Sequence, residues 1–500
     1  MSIFRTKSIE ASMAAADEPD HQLKRRLTAL DLVVFGVGVV IGAGIFTVTG
    51  RAAHQFAGPS VVLSFIIAAT VCALAAMCYA EFASTVPVSG SAYTFSYATL
   101  GEVVAWIIGW DLLLEMMLGA SVVAQGWSAY LEILLGHLGV SIPAGIAPGS
   151  HFDAGAFVLV ALLTLLVARG IKESLRVNLV FVAVKVFIVL FVIVAGISFI
   201  DPANWSPFIP PSAPGAEGSS GIHTPVLQLI TGMTPATFGV MGIMSGAALV
   251  FFAYIGFDVV ATTAEEAKNP QRDLPIGILG SLAICTVLYV GVSLVITGML
   301  PYPEINPQGA LADAFEQVGK GGYATLIAAG AVAGLTTVVM TLIIGTTRVS
   351  FAMSRDHLLP PGLGVTSERT GTPVRLTMIM GGLIALVASL TPIGKLEEMV
   401  NIGTLSAFVL VSLAVPILRR KRPELKRGFR VPFSPGLPWL SAALCTYLIL
   451  NLSVETWIRF IVWMGVGFLI YFLYGRHHSR LATGLPEAGI EGRPSMLDVD

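Results

Sequence analysis

The chain has 500 residues, 55% of them hydrophobic and only 12% charged, with a formal net charge of −2, and its mean hydropathy is +0.81. Soluble proteins carry about 25% charged residues, so the composition excludes a soluble domain and indicates a polytopic helical membrane protein. The near-zero charge argues against nucleic acid as a partner.

Residues 1–27 are polar and read as a cytoplasmic tail; the first apolar run is too long for a cleavable signal. "TALD" (Thr28 to Asp31) has the form of a capping box that starts the first helix. Twelve apolar spans follow, at 29–54, 59–84, 100–131, 153–169, 177–200, 238–264, 275–299, 322–350, 374–392, 396–417, 436–453 and 456–475. Each is near the roughly 20 residues that cross a bilayer. Short alternating strands of a membrane barrel are not seen. Cys72, Cys78, Cys285 and Cys445 stand singly in apolar runs, at no metal or redox spacing, so no metal or cofactor is expected.

Charge tests the count. Lys and Arg cluster in 1–27, 169–176, 268–272, 348–375, 419–430 and 476–493, whereas the other side has only Arg51, Lys320, Lys395 and Arg459. The loop from Asp201 to Thr237 has neither. By the positive-inside rule both termini are cytoplasmic. The organisation is then 28–200 for spans 1–5, 201–237 for an outer loop, 238–417 for spans 6–10, 418–435 for a basic inner loop, 436–475 for spans 11 and 12, and 476–500 for a tail, disordered from Leu481. "ALADAFEQVG" (Ala310 to Gly319) reads as a short amphipathic helix outside the membrane.

Span 1 holds "VVFGVGVVIGAGIFTVTG", with five glycines between Val33 and Gly50. Each costs a helix interior roughly 0.5–1 kcal/mol relative to alanine. Gly38 and Gly42 make a GxxxG that close packing would explain. Span 6 tips the balance, because "FFAYIGFD" (Phe251 to Asp258) sets another glycine in mid-span. Spans 1 and 6 are five helices apart, so two five-helix halves face opposite ways. Paired breaks in inverted halves point to a transporter binding site. Amides at such a break suit a carboxylate and freed carbonyls suit an ammonium, which together describe an amino acid.

The motifs "GVGVVIGAGIF", "CYAEFASTVPVSGSAYTFSYATLGE", "GWDLLLEMMLGAS", "FFAYIGFDVVATTAEEAKNPQRDLPIGI", "MSRDHLLP" and "VNIGTLSAFVLVSLAVPILRR" occur in this order. They resemble the amino acid–polyamine–organocation superfamily, in its cationic amino acid transporter branch, over roughly residues 25–475. The resemblance implies an all-α fold with a LeuT-type 5+5 inverted repeat plus two C-terminal helices, helices 1 and 6 broken in mid-membrane, and secondary amino acid transport by alternating access. Carried over, the substrate site comprises Val40, Ile41, Gly42, Ala43, Gly44 and Ile45, with Phe252, Ala253 and Ile255. The carboxylate would meet the amides of Ala43 and Gly44. The amine would meet carbonyls around Val40, Phe252, Ala253 and Ile255. Phe252 resembles the gate over the substrate. Ala43 departs from the hydroxyl residue of many bacterial relatives, and His357 from the usual glycine.

Charges inside a bilayer cost on the order of 3 kcal/mol or more and mark function. Lys185 lies in span 5; snorkelling to the membrane edge is the alternative to a functional role. It matches a lysine that replaces the sodium site in proton-coupled relatives, where it loads a proton or serves as a fixed charge. Asp258 either caps the second half-helix of span 6 or meets a cationic side chain. Asp111 and Glu115 share a face of span 3, with Glu115 a buried partner or part of a cation pocket. Glu81 is expected to make a structural hydrogen bond. Glu265, Glu266, Lys268, Arg272 and Asp273 are expected to form an inner ion-pair network with Arg348 and Arg355. The basic stretch at Leu418–Arg427 is expected to touch anionic lipid.

No His-Glu-x-x-His, Gly-x-Ser-x-Gly or Walker motif occurs, so neither an intramembrane enzyme nor an ATP-driven pump is indicated. A channel would need a continuous polar lining. The expectation is a plasma-membrane importer of L-amino acids, proton-coupled, favouring arginine, lysine and ornithine. Broad or small neutral substrates, or exchange, are the alternatives. A single-pass partner subunit is left open.

Overall fold

A computed structural model describes residues 5, 27–85, 93, 96–97, 101–170, 175–214, 221–232, 236–367, 370 and 372–483. Lys7, Lys24, Arg25, Arg26, Lys172, Arg369 and Arg493, most of "VPVSGSAYTFSYATL", the tail from residue 484 and the Glu265 side chain lie outside the described residues.

The first helix, α1 (Ala29–Val40), opens on the expected capping box: the Thr28 hydroxyl accepts the Asp31 amide, and the Thr28 amide donates to Asp31 at 2.8 Å. The helix stops at Ile41, whose ψ of 86° is not helical. The chain rewinds as a π-helical turn, Gly44–Val48, then Thr49–Ala52 and a second π turn, Ala53–Ala57. Gly58, with φ +57°, reverses it directly into α2 (Val61–Thr85), a conformation that glycine adopts readily. Then come α3 (Glu102–His137), α4 (Ala154–Ala168), α5 (Leu175–Gly196) and α6 (Gly239–Val250). After α6 the chain tightens into a 3₁₀ turn, Phe251–Tyr254, breaks at Ile255, and resumes as 3₁₀ over Asp258–Glu266. The remainder is α7 (Pro270–Met299), α8 (Gly321–Arg355), α9 (Val374–Leu390), α10 (Ile393–Lys421), α11 (Gly436–Leu450) and α12 (Val454–Ile470). Apart from a two-residue antiparallel ladder joining Ala213–Pro214 to Ala236–Thr237 and the isolated bridges Leu27–Ala267 and Pro225–Ser453, the regular secondary structure among the described residues is helical.

Among the described residues, eight helical stretches are long and apolar enough to cross a membrane. Four apolar helices are shorter: α1, α4, α9 and α11. The shortness of α1 has a local cause, since it is only the first part of an interrupted element. The turn at Gly58 in turn fuses its second part to α2 as one stretch, Gly44–Thr85.

Burial ranks the helices. The most apolar window of α3 is 94% buried inside the protein, whereas that of the stretch containing α12 is 17%. α3 is therefore central and α12 peripheral. Val158, Leu162, Phe187, Val194, Leu386, Leu390, Ile461, Val462 and Leu469 leave apolar side chains exposed on the outer helices, a surface that suits lipid. The indoles of Trp106 and Trp110 of α3 donate to the carbonyls of Gly467 and Trp463 at 3.0 and 2.9 Å. They tie α12 to the centre. The helix Ala310–Gln317 forms where the amphipathic pattern predicts it, with Leu311, Ala314 and Phe315 buried against the bundle.

Candidate functional site

The two breaks touch. A methyl group at Gly44 would lie 2.2 Å from the Ala253 Cα, so only glycine lets the rewound part of the first element reach the turn after α6. Gly256 follows with φ +112°, and a methyl there would lie 2.8 Å from Val39 Cγ1. Each broken element thus leans its backbone on the other. The first amides of a helix have no partner within it, nor do its last carbonyls. Gly42, Ala43 and Gly44 present such amides, while Gly38, Val39 and Val40 present such carbonyls.

Two of those carbonyls are engaged. The buried Lys185 of α5 donates its ammonium to the Gly38 carbonyl. The Tyr289 hydroxyl of α7 donates to the Val40 carbonyl at 2.7 Å. Val40, expected from the sequence to offer a carbonyl, thus has one of its two lone pairs occupied by a neighbouring helix. On the other element the Ile255 amide donates to the Phe252 carbonyl at 3.2 Å. Asn401 of α10 donates its amide to the carbonyls of Ala248 and Leu249 at 2.8 and 3.2 Å, capping the end of α6. Ile41, Ala43, Ile45 and Ala253 are fully buried, Phe252 is 7% exposed and Ile255 is half-buried.

The walls beside the first break are apolar. Val338 of α8 lies 3.4 Å from a methyl placed at Gly42. Around Gly126 of α3, the Thr47 Cγ2 lies 2.9 Å and the Ala43 Cβ and Leu335 Cδ1 lie 3.8 and 3.9 Å from a methyl placed there, while the Thr47 hydroxyl donates to the Ala43 carbonyl at 2.7 Å.

Three carboxylates are buried nearby: Asp111, Glu115 and Asp258. Glu115 lies within electrostatic reach of both others and faces Thr404 of α10. A methyl at Gly403 would lie 2.7 Å from Asp111 Oδ1. Asp258 faces the amides of its own turn, yet neither of its carboxylate oxygens makes a well-formed hydrogen bond among the described residues.

A cavity of about 930 Å³ opens from the end of the bundle that carries residues 138–153 and 221–232. It is lined in part by Thr47, Arg51, Gln125, Gly126, His151 and Glu398, so it descends to within a helical turn of Ala43. Arg51, which follows the rewound turn, forms an ion pair with the buried Glu397 of α10 at the cavity wall. Gln125 donates to the carbonyls of Ala388 and Thr391 at 2.6 Å each, fixing α3 to the α9–α10 corner.

At the opposite end, among the described residues, no ion pair joins Glu266, Lys268, Arg272 or Asp273 to Arg348 or Arg355, and the Glu265 side chain of the expected network lies outside them. Backbone joins the segments at that end instead. Leu27 donates its amide to Glu266 at 2.9 Å and accepts that of Lys268 at 2.8 Å. Asp273 accepts the Asn269 amide at 3.1 Å, and so serves the start of α7. Glu81 makes the structural hydrogen bonds expected of it, accepting Arg419 Nε and Nη2 at 2.8 and 2.6 Å and the Val431 amide at 2.7 Å. The basic stretch is thereby pinned to α2 as well as being basic. Tyr289, Asn401 and the Arg51–Glu397 pair were not singled out from the sequence. The only signal was polarity inside apolar runs, which many structural residues share.

A family model described as amino acid permease matches residues 27–472. The chain is 45% identical over 486 residues to the methylthioribose transporter of Bacillus subtilis (strain 168), covering 96% of this chain and 99% of that protein. It is 46% identical over 489 residues to the branched-chain amino acid permease BcaP of the same organism, with the same coverage. It is 32% identical over 600 residues to the vacuolar cationic amino acid transporter 4 of Arabidopsis thaliana, covering 96% of each. This similarity spans both broken elements and almost the whole chain, and the chain accordingly belongs to the amino acid permease family of the amino acid–polyamine–organocation superfamily: it is a multi-pass membrane transporter and not an enzyme.

Proposed function

We propose that the chain imports L-amino acids across the plasma membrane by alternating access, as a proton-coupled secondary transporter with twelve spans in a LeuT-type inverted repeat and cytoplasmic termini. The contact of the two breaks at Gly44 and Ala253 carries this reading. The amides of Ala43 and Gly44 receive the substrate carboxylate. The carbonyls of Ile41, Ala253 and Ile255 receive its ammonium, Val40 sharing its second lone pair beside Tyr289. Phe252 covers the occupied site. The vestibule at the Arg51 end is the outer entrance, and the backbone contact of Leu27 with Glu266 is the closed inner exit. Lys185 is the proton-linked group, since its ammonium holds the end of α1 and its deprotonation would release it.

For the side chain we favour branched aliphatic substrates. Ala43, Leu335 and Val338 leave apolar walls beside the break, and the branched-chain permease is 46% identical. A second reading, arginine-type substrates, rests on Asp258 and Glu115, buried carboxylates close to the site.

Proteoliposomes with an alkaline lumen, loaded outside with radiolabelled L-leucine or L-arginine, separate these. Leucine uptake that collapses with the gradient, and that excess arginine barely inhibits, is expected. Arginine uptake resistant to leucine would support the second reading. Uptake that needs an internal amino acid and ignores the gradient would replace symport with exchange.

A further inference from the structure

α5 and α8 meet through two glycines of α8. A methyl group at Gly330 would lie 2.4 Å from Cγ1 of Ile188, and one at Gly334 would lie 2.5 Å from Cγ and 2.9 Å from Cδ of Lys185. The glycines are four residues apart and share a helix face. Their two notches receive two side chains that are three apart on α5.

The notches hold different cargo. Ile188 ends in its notch, so Gly330 serves packing alone. The Lys185 stem crosses its notch and continues to the Gly38 carbonyl, one of those that the break of α1 leaves open. The atoms nearest Gly334 are methylenes midway between the α5 backbone and the ammonium. Anything larger than glycine displaces those methylenes, and the ammonium moves with them. Well-packed interiors give little room for such a shift elsewhere.

The geometry points to Gly334 as a positioning residue for transport: its missing Cβ sets the depth at which Lys185 crosses α8, and so seats the ammonium on the broken end of α1. This rests on the reading of Lys185 as the proton-linked group. Among the described residues, groups on three other elements face Lys185. α7 sets the Cys285 thiol within electrostatic reach. α1 presents the Gly38 carbonyl. α8 presents Gly334, whose carbonyl accepts the Thr337 hydroxyl at 2.9 Å.

The test compares Gly334→Ala, Gly330→Ala, Lys185→Ala and the double variant Gly334→Ala/Lys185→Ala, each full-length in proteoliposomes. L-Leucine and L-arginine uptake is followed against external pH, with and without a proton gradient, and melting temperature is recorded in detergent. Both glycine variants are expected to melt earlier. Only Gly334→Ala is expected to lose the gradient-driven part of uptake and to take on the pH profile of Lys185→Ala. The double variant is expected to match Lys185→Ala. If Gly334→Ala does not fold, truncating Lys185 removes the methylenes that the new methyl strikes, and the double variant should be recovered folded; failure of that rescue overturns the proposal. A wild-type pH profile in Gly334→Ala, or the same loss in Gly330→Ala, also overturns it while a Lys185→Ala effect leaves the Lys185 reading standing. Wild-type gradient dependence in Lys185→Ala would instead overturn the Lys185 reading, and the proposal with it.

Discussion

Single residues carry the charges that lipid makes expensive, and their partners decide what each charge does. The Arg51–Glu397 pair is the clearest case, with the Glu397 side chain 1% exposed. Removing one partner of a buried pair leaves the other uncompensated, which costs about 3–5 kcal/mol, whereas replacing both with apolar residues is often neutral. Arg51→Met is therefore expected to lower the detergent melting temperature markedly, and Arg51→Met/Glu397→Leu to recover most of the loss. Equal melting of the single and double variants would show that the pair carries no buried charge cost. Asp258 poses a different question, because its carboxylate follows a break and makes no well-formed hydrogen bond among the described residues. If it meets a substrate side chain, Asp258→Asn should reduce arginine uptake about tenfold or more while sparing leucine, the usual worth of a charged contact at about 1.4 kcal/mol per decade. Equal loss for both substrates in paired uptake assays would make Asp258 a cap. The sequence marked Asp258, Glu115 and Lys185 because each breaks an apolar run. It did not mark Tyr289, whose hydroxyl caps Val40, since a tyrosine in a helix ordinarily reads as packing.

At the scale of elements the two interrupted helices behave as the glycine pattern predicted, but their glycines are not equivalent. Gly44 is fixed by backbone, with Ala253 Cα 2.2 Å from where its methyl would be, while Gly42 meets Val338 only at 3.4 Å. Backbone cannot step aside as a side-chain tip can. Gly44→Ala is expected to cost about 1–3 kcal/mol through overpacking and to abolish uptake. Gly42→Ala is expected to fold normally and to narrow the space beside Val338. Melting temperature and leucine uptake measured side by side check this, and parity of the two variants would argue against the contact of the breaks. The density of charge at Glu265–Asp273 predicts an inner ion-pair network with Arg348 and Arg355, and among the described residues no such pair forms. Asp273 lies in the first turn of α7 and bonds the Asn269 amide there, so helix capping competes successfully for the carboxylate. The segments there are joined instead by the backbone of Leu27, which no side-chain pattern encodes.

For the whole molecule, orientation is the property that follows from summed charge, and it is directly measurable. All four native cysteines are buried, so an introduced thiol can be labelled on a quiet background. Val140→Cys in the loop after α3 is expected to react with an impermeant maleimide on intact cells. Phe433→Cys, in the basic stretch before α11, is 87% exposed at the native phenylalanine and is expected to react only after permeabilisation. The reverse result would invert the topology read from the lysines and arginines. Membrane residence, helical class and the places of the two breaks were all determined by the sequence itself. Those properties depend on local composition and on backbone rules that lipid enforces residue by residue. Tertiary structure alone decided which freed carbonyls are already capped, that Gly44 abuts Ala253, that Lys185 reaches Gly38 across Gly334, and that Arg51 pairs with Glu397. Each of these depends on the distance between segments remote in the chain. That distance is set by the packing of whole helices, and no local pattern of residues records it.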